Sequence, residues 1–74
     1  MKKFVEENIE RDIKNFELSA DLYNRYLIYC KTYNSKPVSR KCFGFRLSKE
    51  RIGVYHRSKN KPARWGVKLL PCKY

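Results

Sequence analysis

The sequence predicts an α+β domain of three helices, one short strand and a C-terminal β-hairpin. Two helix-period segments are separated by a break that ends in Pro37, and the apolar period changes to two after Gly53. Positive charge is concentrated in the half that holds the second of these segments and the hairpin. At 74 residues the chain has room for one hydrophobic core, so residues 1–74 are read as a single domain.

Phe4, Val5, Ile9 and Ile13 follow a rough helical spacing, predicting a first helix from Lys2 to about Glu10, with Glu6, Glu7 and Glu10 on its wet side. Asn15–Leu18 alternates over a short span and reads as an extended link or small strand. Ser19 offers a side-chain oxygen as N-cap for a second helix reaching about Tyr33, with Asp21 in its first turn. Leu22, Tyr23, Tyr26, Leu27 and Cys30 form its apolar stripe. Four of the six tyrosines lie on this helix, and their spacing assigns them mainly to packing.

Asn34-Ser35-Lys36-Pro37 stops the helix, because the residue before proline is pushed out of the α region. Val38 is read as a staple and Ser39 as the cap of a third helix, Arg40 to about Lys49, with Phe43 and Leu47 inward and Ile52 below them. The connection has the length of a helix-turn-helix. Val54–Arg57 and Arg64–Leu69 then alternate around turn chemistry at Ser58–Pro62, a hairpin with a basic tip. On that reading Trp65, Val67 and Leu69 share the core face, and His56 is half-buried. The order is that of a winged helix-turn-helix.

Charge points to the partner. Residues 1–30 carry five Lys or Arg and six acids, whereas residues 31–74 carry thirteen Lys or Arg and only Glu50. A single-signed surface of this kind attracts phosphate and argues against a generic solubilising shell, which mixes both signs. Projected at about 100° per residue, Lys41, Phe45 and Ser48 of the third helix fall opposite the Phe43–Leu47 side. Lys49 lies further round, Gly44 on a flank, and Arg40 at the N-terminus, where a recognition helix presents its first residues to base edges. Two placements of Phe45 are open: against a thymine methyl in a major groove, or packed on the hairpin or first helix. Arg57, Lys59, Lys61 and Arg64 are assigned to phosphate or minor-groove contacts from the wing.

Catalytic and metal constellations are not expected. Gly44, Gly53 and Gly66 are isolated, His56 is the single histidine, and Cys30, Cys42 and Cys72 form no close pair, so no cofactor or metal is predicted. The three cysteines read as reduced thiols, at least one filling the core. No apolar run approaches the roughly 20 residues of a spanning helix, and none follows Met1-Lys2-Lys3 as a secretory signal would. A cytoplasmic location, in a bacterial cell or phage-infected host, and no membrane partner are expected.

Leu22-Tyr23-x-x-Tyr26-x-x-Tyr29-Cys30, followed by Pro37-Val38-Ser39-Arg40-Lys41-x-Phe43-Gly44-x-x-Leu47, resembles the C-terminal winged-helix domain of phage- and plasmid-type primase–helicases. These are superfamily 3 helicases related to the poxvirus primase–helicase. Trp65-Gly66-Val67-Lys68-Leu69 is similar to that family's hairpin ending, although the residue the family often has between the Trp and the Gly is absent here. The resemblance spans about residues 3–70 and places Arg40, Lys41, Gly44, Phe45 and Ser48 on a recognition helix. It implies a non-catalytic DNA-binding appendage of a replicative helicase hexamer, with a role in origin recognition, either excised or standing alone.

The expected partner is DNA, duplex in preference to single strand, with a parent or partner helicase hexamer as a second partner. The alternatives are a small phage-type transcription regulator and a protein-docking winged helix with little DNA binding.

Overall fold

The computed structural model describes all 74 residues. In chain order the elements are α1 (Lys2–Asn8), β1 (Ile9–Leu18), α2 (Ser19–Thr32), α3 (Arg40–Lys49), β2 (Val54–Ser58) and β3 (Lys61–Leu69). The three strands form one antiparallel sheet in the order β1-β3-β2, giving an α+β domain. No helix is long and apolar enough to cross a membrane.

The first helix is shorter, and the first strand longer, than helical periodicity suggests. The helix stops at Asn8, whose buried side-chain amide donates to Phe4 O at 3.0 Å and occupies a carbonyl of the last turn. Ile9 is already extended and starts the β1–β3 ladder opposite Leu69. Pairing with a partner sixty residues away in sequence outweighs a weak local period, as short helices depend on packing. Ile13, expected on the helix stripe, is instead 90% exposed.

Ile13 lies in a large irregularity of the ladder. Arg11 pairs with Val67 and Phe16 with Trp65, so Asp12–Asn15 bulge out opposite Gly66 alone. The Asn15 side chain reaches back to donate to Val67 O at 2.8 Å, and Glu17 accepts from the Leu69 amide at 2.8 Å. These side-chain bonds tie β1 to β3 across the bulge. On β3, Gly66 takes a φ of +86°, which shifts the alternation by one residue. Trp65 therefore does not share the core face with Val67 and Leu69. It lies on the outer face of the sheet, 39% exposed and stacked on Phe16 at 4.6 Å.

Phe4, Leu22, Tyr26, Cys30, Phe43, Leu47, Ile52 and Val67 meet in the core on the other side of the sheet. The Tyr26 and Phe43 rings stack at 4.7 Å, and Phe4 packs edge-on against both. Cys30 is the core-filling thiol; Cys42 and Cys72 are exposed. Leu27, assigned to the stripe, lies at its margin and is exposed.

Tyrosine hydroxyls fix the path between α2 and α3. Tyr23 donates to Val38 O at 2.8 Å, and the Tyr26 hydroxyl accepts from the Val38 amide at 3.1 Å. Ser39 caps α3 by accepting from the Cys42 amide at 3.2 Å, as its place before the helix predicts. Ser19, by contrast, is inside α2 and Leu18 is its N-cap. The reason is β1, which stays paired as far as Leu18 opposite Ala63 and leaves no capping residue between strand and helix.

The hairpin turns more tightly than the Ser58–Pro62 reading. Lys59 and Asn60 are its two loop residues, with φ of +50° and +65°, the left-handed pair that matches strand twist. Pro62 lies in β3 beyond Ala63, the last residue that β1 pairs, so its missing N–H costs that ladder nothing. His56 is exposed rather than half-buried, because no helix covers the outer face of β2.

Candidate functional site

An open cleft of about 710 Å³ separates α3 from the hairpin. Arg40, Lys41, Gly44, Phe45 and Ser48 line it from the helix; Tyr55, Pro62 and Arg64 face them from β2 and β3. No carboxylate lines the cleft, whereas Arg40, Lys41 and Arg64 do. Inward Phe43 and Leu47 anchor α3 in the core and thereby turn the Lys41–Phe45–Ser48 side outward. Lys49, the sixth residue expected on this helix, is exposed but is not among the residues lining the cleft.

Phe45 is 64% exposed, so it is not buried against the hairpin or α1, one of its two expected placements. The Lys41 ammonium lies 6.0 Å from its ring centroid, one helical turn away. Gly44 has open space where a Cβ would project, so the helix backbone is bare on that flank.

Arg64 corrects the wing assignment. It is 4% exposed, and its guanidinium donates to Ile52 O at 3.1 Å, Gly53 O at 3.4 Å, Gly44 O at 3.2 Å and Ser48 Oγ at 3.1 Å. Burial lowers its pKa from the ordinary arginine value, yet arginine stays charged at neutral pH. Every acceptor is neutral. Arg64 is therefore a brace that ties α3 and the segment after it to β3. It is not a free phosphate ligand, since both terminal nitrogens are engaged in the fold. The shift of alternation at Gly66 is what leaves Arg64 and Val67, three positions apart, both turned toward the core.

The remaining hairpin cations are exposed but not gathered in the cleft. Arg57 shares the Tyr55 side of β2 by strand alternation and donates to Asn60 O at 3.2 Å across the turn. Lys59 and Lys61 border a second hollow on the other flank of the tip, where Glu17 and Asp21 stand opposite them. Those carboxylates weaken the local positive field that sequence position alone suggested.

Tyr55 and Pro62 belong to the cleft although neither was assigned there. Their signal was period two: Tyr55 lies two residues before Arg57, and Pro62 two before Arg64. No group of three His, Cys, Asp or Glu side chains comes together in the geometry of a metal site.

No protein-family model, curated protein or solved structure matches the chain.

Proposed function

We propose that the chain is a winged helix-turn-helix that binds duplex DNA, with α3 as recognition helix and the β2–β3 hairpin as wing. The observation that carries this reading is the carboxylate-free cleft, which brings five of the six expected helix residues opposite the hairpin. A major groove about 12 Å wide admits such a helix, and Arg40 and Lys41 can donate to guanine O6 and N7. Arg57, Lys59 and Lys61 on the hairpin supply phosphate contacts, while Arg64 holds helix and hairpin at a fixed spacing. In keeping with the family resemblance, the module serves replication of a phage, plasmid or integrated element within a primase–helicase. One small module neutralises few phosphates, and a hexameric parent would add affinity by multivalency.

Fluorescence anisotropy against one duplex and its separated strand, from low to physiological salt, tests this. Tighter duplex binding that falls steeply with salt supports groove docking. Equal or tighter single-strand binding overturns it in favour of stacking on the exposed Phe16–Trp65 pair. No binding at low salt transfers the role to protein docking.

A further inference from the structure

We infer that Phe45 is a specificity-determining residue that reads the 5-methyl group of a pyrimidine, with Lys41 donating to a guanine one or two base pairs away. The inference rests on the duplex-binding reading and concerns the same cleft.

Phe45 is the most exposed aromatic side chain of the protein. It stands in a cleft whose other helix residues are Arg40, Lys41, Gly44 and Ser48. Unlike Tyr55 across the cleft, a phenylalanine offers no hydrogen-bonding atom, so it gives a partner apolar and ring-face contact only. Within its own chain the Lys41 ammonium lies 6.0 Å from the ring centroid. The edges of bases in a major groove offer one apolar group, the C5 methyl of thymine, which 5-methylcytosine also carries. Gly44 beside it presents no side chain, which lets the helix approach closely enough for contact.

The spacing fixes the second half of the inference. Lys41 and Phe45 are four residues apart on one helix face, about 6 Å along the axis. Base pairs stack at about 3.4 Å, so the two side chains meet base pairs that are neighbours or one step removed. A methylated pyrimidine and a nearby guanine are thus read as a unit by one apolar and one cationic group.

The test uses a labelled duplex selected from a random library by the intact chain, then resynthesised with each thymine replaced in turn by uracil. A second set replaces cytosines by 5-methylcytosine. At one or two positions uracil should weaken binding about fourfold, the equivalent of one buried methyl group. If cytosine is the natural base there, methylation should strengthen binding by a similar factor, and the two sets tell which base is used. Phe45→Ala should bind the thymine and uracil duplexes equally with the same salt dependence, and Phe45→Leu should keep part of the preference. The ring is exposed, so both variants should melt like the parent chain. Uracil duplexes bound as tightly as thymine duplexes, or a methyl preference that survives in Phe45→Ala, would overturn the inference. Failure of the duplex reading looks different: no selectable duplex and no affinity, which removes both proposals together.

Discussion

Gly53 and Arg64 occupy adjoining space so closely that a Cβ on Gly53 would come within 2.7 Å of Arg64 Cγ. The same atom would meet Trp65 O at 2.8 Å and Val67 Cγ1 at 2.9 Å, and Gly53 has a φ of +73°. The left-handed backbone alone disfavours a side chain, and all three neighbours belong to the central strand β3, one of them its backbone carbonyl, which cannot give way freely. Gly53→Ala should therefore destabilise the domain by about 3 kcal/mol, read as a lower urea midpoint with unchanged slope.

Gly44→Ala should act in the opposite direction. Nothing lies within 4 Å of the position its Cβ would take, and glycine inside a helix costs about 1 kcal/mol relative to alanine. The variant should melt higher than the parent yet bind duplex DNA less tightly, because the methyl fills the flank that lets the helix approach. Higher stability with unchanged affinity would remove Gly44 from the interface.

Arg64→Met should be destabilising rather than merely weak in binding. The substitution keeps much of the aliphatic stem but leaves the Ile52, Gly53 and Gly44 carbonyls and Ser48 Oγ without their donor. A loss of about 3 kcal/mol is expected for several carbonyls stripped of a charged donor in a buried place. Lys59→Ala, at the exposed turn, should leave the denaturation midpoint unmoved. Equal midpoints for the two variants would show that Arg64 braces nothing.

The brace also explains which parts of this architecture were legible in the sequence. The stripes of α2 and α3, the Ser39 cap and the stop before Pro37 rest on local chemistry, and each was readable. The end of α1, the bulge at Asp12–Asn15 and the burial of Arg64 all depend on pairing between β1 and β3, whose partners are more than forty residues apart. Gly66 is the clearest case. In the sequence it is one residue of an alternating run, but its left-handed backbone shifts the phase, moving Trp65 to the outer face and Arg64 to the core side. An arginine beside a basic turn reads as a surface cation until the strand phase is known.

The C-terminal Tyr74 should make stability depend on alkaline pH. Its hydroxyl donates to Glu7 Oε1 at 2.8 Å and accepts from Asn8 Nδ2 at 2.9 Å. Burial is the main cause that pushes its pKa up to about 12 from 10.0, with the Glu7 carboxylate adding to it. The native state thus keeps a proton that the unfolded chain releases near its ordinary value. The stabilisation is complete below about pH 10 and drains away as pH rises through about 12. Glu7 behaves in the opposite sense: the Tyr74 hydrogen bond holds its carboxyl below the usual range, so that contribution fades as the medium turns acidic. Thermal melts of the parent and Tyr74→Phe should differ most near neutrality and converge toward both extremes. A constant gap across the range would mean that neither proton is linked to the Tyr74–Glu7 contact.

Arg40→Ala and Lys59→Ala should separate base reading from phosphate positioning. Arg40 lines the cleft at the start of α3, whereas Lys59 is at the hairpin tip and outside it. Loss of a phosphate contact at Lys59 should weaken all duplexes alike and lower the dependence of log affinity on log salt by about one. The carboxylates of Glu17 and Asp21 across the neighbouring hollow make this loss smaller than for an isolated lysine. Loss of a base contact at Arg40 should instead narrow the gap between a selected and a scrambled duplex, by about 1–3 kcal/mol. Two salt titrations per variant, one on each duplex, resolve the cases. If both variants change affinity and discrimination in the same proportion, helix and hairpin do not divide the work in this way, and the cleft acts as a single electrostatic surface.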